Sequence, residues 1–238
     1  MKLETCVHKI IETEHTDHTG HLRLSGLLSL AQEAAVYAVE HDLELTPDKT
    51  FEKGIAWVVA RYHFEISRLP VYEEECDIHT WQSKTLAFFF TRNFEFIDSK
   101  GDAFIKGSSA WTLIDKKSRQ AILPQNYGLA TPDVKTGREI PLPTFLRIDP
   151  KENVITLRST YRDTDFNGHM NNVRYLDVCM DLIPLDFLNT HIPVSFDIAY
   201  KKEFRLGEET ELRYEYKDGA YSFASDLFTL IIRFKEAV

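Results

Sequence analysis

Nine residues in the second half of the chain, Thr164-Asp165-Phe166-Asn167-Gly168-His169-Met170-Asn171-Asn172, concentrate three kinds of hydrogen-bonding side chain. A carboxylate, a carboxamide and an imidazole stand at Asp165, Asn167 and His169. In an extended segment, side chains two apart point the same way. Such a set suits attack by water on a carbonyl. His169 can hold or relay a proton near neutral pH. Asn167 can orient the water or the carbonyl, and Asp165 can orient either partner. Asn171 or Asn172 can cap a following helix. The first turn of that helix would offer N–H groups and partial positive charge to a developing oxyanion. Asp, Asn and Gly also gather ahead of helices for backbone reasons alone, so on spacing alone a polar capping turn competes with an active site.

Other chemistries lack their signatures. There is no G-x-S-x-G elbow for a serine hydrolase, no P-loop and no G-x-G-x-x-G. No cofactor is therefore expected. His15, His18 and His21 form H-x-x-H-x-x-H, but that spacing in a loop fixes no ligand geometry, and no metal site is expected there. Glu73-Glu74-Glu75 reads as a solvated acidic turn. The basic groups Lys116, Lys117 and Arg119, and Lys201, Lys202 and Arg205, are the candidates to meet an acidic partner, although scattered surface charge would look the same.

Composition narrows the class. In 238 residues, 37 acidic side chains against 28 basic ones give a formal charge of −9, which repels phosphate backbones and argues against nucleic-acid binding. Cys6, Cys76 and Cys179 are odd in number and far apart, as suits free thiols in a reducing compartment. The start, MKLETCVHKI, carries charges where a secretion signal needs an apolar run, and the run from Ile55 to Ala60 is too short to span a membrane. A soluble, cytoplasmic protein without membrane contact is expected.

The elements that must hold the polar cluster form two similar series. Gly26 to Val39 repeats Leu27, Leu30, Ala31, Ala34, Ala35 and Ala38 at helical spacing. Strands are predicted at Ile55–Ile66, Cys76–Trp81, Ala87–Ile97 and Ala103–Ile114, joined by connections short enough to imply antiparallel neighbours. Pro124, Pro132, Pro141, Pro143 and Pro150 then mark an extended linker. The second series has a strand at Val154–Tyr161, a helix at Asn171–Leu182, and strands at Val194–Phe204, Glu211–Lys217, Tyr221–Leu227 and Phe228–Phe234. Asp17-His18-Thr19-Gly20-His21-Leu22 before the first helix matches Asp165-Phe166-Asn167-Gly168-His169-Met170 before the second, which points to internal duplication. The expected architecture is α+β: a tandem (double) hotdog, two long helices each wrapped by a curved antiparallel sheet. Its domains are residues 1–119, a linker over 120–150, and residues 151–238.

The residues then carry a resemblance. Asp165-Phe166-Asn167-Gly168-His169-Met170-Asn171-Asn172-Val173-Arg174-Tyr175-Leu176 resembles the D-x-N-x-H-V-N-N-x-K-Y-I signature of acyl-ACP thioesterases. Ile55-Ala56-Trp57-Val58-Val59-Ala60-Arg61 resembles that family's W-V-V-T-R strand. Asp77-Ile78-His79-Thr80-Trp81 and Gly107-Ser108-Ser109-Ala110-Trp111 resemble two further segments, in order. The resemblance implies a double hotdog that hydrolyses the thioester between a fatty acyl chain and acyl carrier protein. It implies catalytic roles for Asp165, Asn167 and His169, and for a glutamate thirty-four residues after that histidine, here Glu203. Glu203, alone or with His169, would activate water; a nucleophilic route through Asp165 stays open.

The loop repeat sets Thr19 opposite Asn167, and aligning Val71 with Arg205 sets Leu69 opposite Glu203, so the first half lacks the amide and the carboxylate. One active site in the second half is expected, with the first half shaping an acyl tunnel around Trp57, Phe88 and Phe90. Three departures from the family are visible: Val178 stands where a Trp is frequent, Phe204 where plant members often carry Cys, and no transit region precedes the domain. Competing readings are acyl-CoA hydrolysis, a dehydratase, and a non-catalytic acyl-thioester sensor. The pairing of Asn167 with Glu203 speaks against the dehydratase; a sensor would not need Glu203 and would be expected to carry an appended DNA-binding segment. A homodimer of the whole chain is compatible with the sequence.

Overall fold

The computed structural model describes residues 4–42, 52–86, 88–123, 134–138 and 140–237. Each series folds as a five-stranded antiparallel sheet curled around a helix. In the first, β1 (Thr5–Ile10), β3 (Glu75–Leu86), β4 (Phe89–Ile97), β5 (Ala103–Asp115) and β2 (Ile55–Ile66) lie side by side in that order. In the second the order is β7 (Asn153–Arg158), β9 (Glu209–Lys217), β10 (Ala220–Ala224), β11 (Phe228–Glu236) and β8 (His191–Tyr200). The two sheets join through β2 and β8, which pair antiparallel from Arg61↔Ala199 to Glu65↔Ser195. With β6 (Ala121–Ile122) hung on β5, eleven strands form one continuous sheet. This is the tandem hotdog.

Alternation along the strands decides which side chains face inward. Tyr62, Phe64, Phe94, Phe96, Phe196 and Phe228 are fully buried on the concave face. Gly107 is obligatory there: a Cβ on it would lie 2.2 Å from the Phe64 ring. Helix α1 (Leu24–Asp42) packs into the first sheet with Leu27, Ala31, Ala34 and Ala38 all fully buried, and the small alanines let the helix approach the strands closely.

The duplication is repeated bond for bond at the helix entrances. Asp17 N–H donates to His21 O at 2.8 Å, and Asp165 N–H to His169 O at 3.0 Å. Leu22 N–H reaches Pro70 O at 2.8 Å, and Met170 N–H reaches Phe204 O at 2.7 Å. Gly20 and Gly168 take φ of +79° and +81°, where a Cβ is unfavourable. The bridges His21↔Val71 and His169↔Arg205 make the same equivalence of Val71 with Arg205 that the sequence suggests.

Three expectations need correction. The second helix is not long: α2 spans Arg174–Met180, seven residues, rather than 171–182. The Asn171 carboxamide and carbonyl take the N–H groups of Val173 and Arg174 in a turn before the helix begins. At the other end Leu182 and Ile183 make i→i−3 bonds that tighten it to a close. A short α3 (Leu185–Leu188) follows Pro184. Second, β8 stops at Tyr200, because Lys201 and Lys202 both turn their N–H groups onto Leu227 O. Glu203 therefore lies beyond the strand. Third, Tyr161 begins a 3-10 turn (Tyr161–Asp163) and is not part of β7.

Pro124 and Pro132 lie outside the described residues. Apart from β6, the described part of the linker is irregular and pinned to the convex face of the first sheet. Val134 N–H bonds Gln82 O, and the Arg138 guanidinium binds Glu4 (2.7 Å) and Glu95 (2.8 Å) while covering the Trp81 ring. The Phe145 ring lies 3.3 Å from the Arg61 guanidinium.

Candidate active site

The polar loop between the 3-10 turn and α2 is tied back on itself. Asp165 Oδ1 accepts the Asn167 N–H at 2.8 Å, and Gly168 N–H closes onto Asp165 O at 3.0 Å. This turn presents Asp165, Asn167 and His169 to one side. His169 Nδ1 lies 4.0 Å from Asp165 Oδ1, and its Nε2 lies 3.8 Å from Glu203 Oε1. Asp165, His169 and Glu203 are each roughly one-quarter exposed (21, 27 and 31 %), accessible to a substrate yet partly screened from solvent. All four residues expected from the sequence come together at one wall of a single cavity of about 1410 Å³.

Both halves build that cavity. Ala35, Val36 and Val39 of α1, Ile55 to Ala60 of β2, and Phe90, Trp111 and Ile114 line it from the first half; residues 165–172, Tyr175 and Tyr200 line it from the second. Trp57 and Phe90 meet edge to face, with ring centroids 4.7 Å apart. Phe88 is not with them: it is 41 % exposed and lies outside the lining, because it stands before β4 begins.

Two details differ from the sequence reading. The backbone donors at the helix entrance are already used: Met170 by Phe204 O, Asn171 by Asp163 O, Val173 by the Asn171 side chain, Arg174 by Asn171 O. With these N–H groups spent and α2 only two turns long, the Asn167 carboxamide at the cavity wall is a further donor able to serve a developing oxyanion. Second, Arg119 is a neighbour of the site. It sits with φ +60° just after β5 in the first half, and its guanidinium contacts Glu203; Arg205 Nη2 stands 3.8 Å away on the other oxygen. No sequence pattern links Arg119 to Glu203, since only the fold brings the two halves together.

Tyr200 Oη donates to Asn172 O at 2.8 Å, and its ring meets Tyr175 edge to face. Burial holds both phenols far above their ordinary pKa, and Asp165 adds to this at Tyr175, so both stay neutral. The equivalent loop of the first half is wired differently. Thr19 Oγ1 donates to Asp17 at 2.6 Å and contacts His21 Nδ1 at 2.9 Å, and none of the three lines the cavity. His15, His18 and His21 contact different partners, the Glu12 backbone, Asn189 and Thr19.

The tandem hotdog thus sets one polar cluster at a large cavity shared by its two halves. Residues 8–125 match the model of the acyl-ACP thioesterase N-terminal domain, and residues 148–231 match that of the C-terminal domain. The chain belongs to the acyl-ACP thioesterase family. Among curated proteins it is 25 % identical over 163 residues to the chloroplastic oleoyl-acyl carrier protein thioesterase 1 of Arabidopsis thaliana, covering 63 % of this chain and 45 % of that one. It is 25 % identical over 178 residues to the chloroplastic palmitoyl-acyl carrier protein thioesterase of Cuphea hookeriana, covering 70 % and 42 %. The alignments thus span less than half the length of these relatives. Among solved structures, an acyl-ACP thioesterase from Bacteroides thetaiotaomicron superposes with a TM-score of 0.85 at 23 % identity, over 98 % of each chain. The 12:0-ACP thioesterase from Umbellularia californica gives 0.82 at 17 % identity, over 100 % of this chain and 99 % of that one. No helix among the described residues is long and apolar enough to cross a membrane.

Proposed function

We propose that this protein hydrolyses the thioester joining a fatty acyl chain to acyl carrier protein, releasing free fatty acid and the carrier's thiol. The observation that carries this reading is the convergence of Asp165, Asn167, His169 and Glu203 on a cavity large enough for an acyl chain and walled by both halves. Glu203 and His169 Nε2 are 3.8 Å apart, so a water touching both meets two groups able to take its proton. The water oxygen attacks the carbonyl carbon, Asn167 donates to the carbonyl oxygen as charge develops there, and the C–S bond breaks. The proton held by Glu203 or His169 passes to the departing sulfur. Asp165 keeps the Asn167 loop in place through the bond to its N–H.

In this reading residues 151–238 supply the chemistry and residues 1–119 the acyl tunnel, with Trp57 and Phe90 in its wall and 120–150 as the strap between them. The chain is acidic overall, yet Lys116, Arg119, Lys201, Lys202 and Arg205 all border the cavity. That local basic rim suits an acidic carrier protein and steers its approach. The same rim would also suit the phosphates of CoA, the second reading. The three cysteines, none in a disulfide, suit the reducing cytoplasm.

The test is free-thiol release from acyl-ACP and acyl-CoA panels, C8 to C18, with wild type and Asp165→Ala side by side. Release from acyl-ACP that is lost in the variant supports the hydrolase and its site. Release from acyl-CoA alone moves the substrate to CoA. No release by folded protein removes the hydrolase reading.

A further inference from the structure

A second group of reactive side chains lies on the convex face of the first sheet, at its free edge. In the register of β1 and β3, Cys6 stands opposite His79 and His8 opposite Asp77. Alternation puts all four on the face away from the core, while Thr5, Cys76, Ile78 and Thr80 between them are buried. One donor atom each from Cys6, Asp77 and His79 lies within 4.8 Å of the other two. This is the group of three or more potential metal ligands found among the described residues.

From this geometry we infer a binding site for a borderline-soft divalent transition ion, of the zinc type, with Cys6 Sγ, His79 Nε2 and an Asp77 oxygen as ligands. Three features beyond proximity support it. The first is orientation. Glu4 Oε1 takes His79 Nδ1 at 2.7 Å, and Arg138 holds the other Glu4 oxygen at 2.7 Å. A carboxylate on Nδ1 fixes the tautomer that leaves the Nε2 lone pair for a metal, and it makes that nitrogen more basic. The second is that His8 Nδ1 meets Asp77 Oδ1 at 2.9 Å, which leaves Oδ2 unassigned to that contact. The third is charge: Glu4, Glu75, Asp77 and Glu95 surround the position, against Arg138 and Lys106.

Tetrahedral zinc with bonds of about 2.0–2.3 Å sets its donors roughly 3.5 Å apart. The donors lie within 4.8 Å of one another, so side-chain movement on the order of 1 Å brings them to that spacing. Thiolate and imidazole select zinc, cobalt or nickel over magnesium or calcium. With three protein ligands the fourth position is open. Because Cys6 and His79 come from different strands, a bound ion would also fasten edge strand β1 to β3. The site is remote in sequence from Asp165–His169 and stands apart from the thioesterase reading.

The experiment is a Co²⁺ titration of the reduced full-length protein, followed by absorption and then by displacement with Zn²⁺. One Co²⁺ per chain with a sulfur-to-cobalt charge-transfer band, lost on adding Zn²⁺, is expected. Cys6→Ser should abolish the band and leave acyl-thioester turnover unchanged. Glu4→Gln should retain the band with affinity weakened about tenfold to a hundredfold, the usual cost of removing such a support. Folded wild-type protein without a sulfur-to-cobalt band overturns the proposal, as does a band that survives Cys6→Ser. Cobalt bound by His15, His18 and His21 would show no thiolate band, so it counts against the site.

Discussion

Glu203 is approached by His169, Arg119 and Arg205, so its charge is both available to a substrate and held by cations from two halves of the chain. If it accepts the proton of the attacking water, Glu203→Gln keeps the shape of the site and removes the base. Turnover of acyl-ACP should fall by about 10²–10⁴-fold with KM little changed. The melting temperature should hold, since the side chain is partly exposed. A Gln variant with wild-type turnover would assign the base to His169 alone. That Asp165, Asn167 and His169 stand together is legible in the sequence because they fall within five residues; that they share a cavity wall is seen only in the fold. Glu203 was readable only through the family resemblance; on its own it is one acid among 37. Arg119 is, in the sequence, a candidate to meet an acidic partner; its place beside Glu203 is not legible there because that neighbour is contributed by the other half. Phe88 and Phe90 look alike in a run of three phenylalanines, and only the start of β4 separates the exposed ring from the buried one.

At the scale of elements, strands were more legible than the second helix. Ile55–Ile66 matches its predicted limits, and Ala103–Asp115 runs one residue past them, because apolar runs broken by turn residues leave few alternatives. The second helix was overdrawn because helical periodicity continues through turns at both of its ends, where the backbone bonds are i→i−3 or belong to Asn171. Glycine 107 tests how tightly the sheets are packed. Its place in G-S-S-A-W gives no hint of a constraint, yet the Phe64 ring occupies the space a Cβ would take. Gly107→Ala must displace that ring, which itself stacks on Phe196 of the second half at 5.2 Å. The expected cost is about 1–3 kcal/mol, read as a lower urea midpoint. An unchanged midpoint would mean that the β2–β5 pairing relaxes more easily than the packing implies.

For the whole molecule, the halves share a cavity and a sheet, and each can be tested separately. If the first half sets acyl length, Trp57→Ala should enlarge the tunnel and move the best substrate toward longer chains by two or more carbons; an unchanged chain-length profile with a folded variant would place the limit elsewhere.

The shared sheet has an electrostatic seam. On its convex face His63 of β2 meets Asp197 of β8 at 2.7 Å, and Arg233 of β11 meets the other Asp197 oxygen at 2.8 Å. Burial alone would lower the His63 pKa, but the bond and charge of Asp197, helped by Glu65, raise it above its ordinary 6.5. Burial alone would raise Asp197, but His63 and Arg233 bring it below its ordinary 3.8. The two signs give different pH windows. The Asp197 contribution is in place above about pH 4 and disappears only as acid protonates it in the folded state. The His63 contribution is complete below about pH 6.5 and is lost as pH rises through the raised folded value. Between these limits both act, and the seam is strongest in mildly acidic solution. His63→Gln should therefore destabilise the protein most near pH 6 and progressively less toward pH 9. Denaturation of both proteins across that range measures the gap between them. A gap that stays constant with pH would mean that His63 contributes by packing and not by charge.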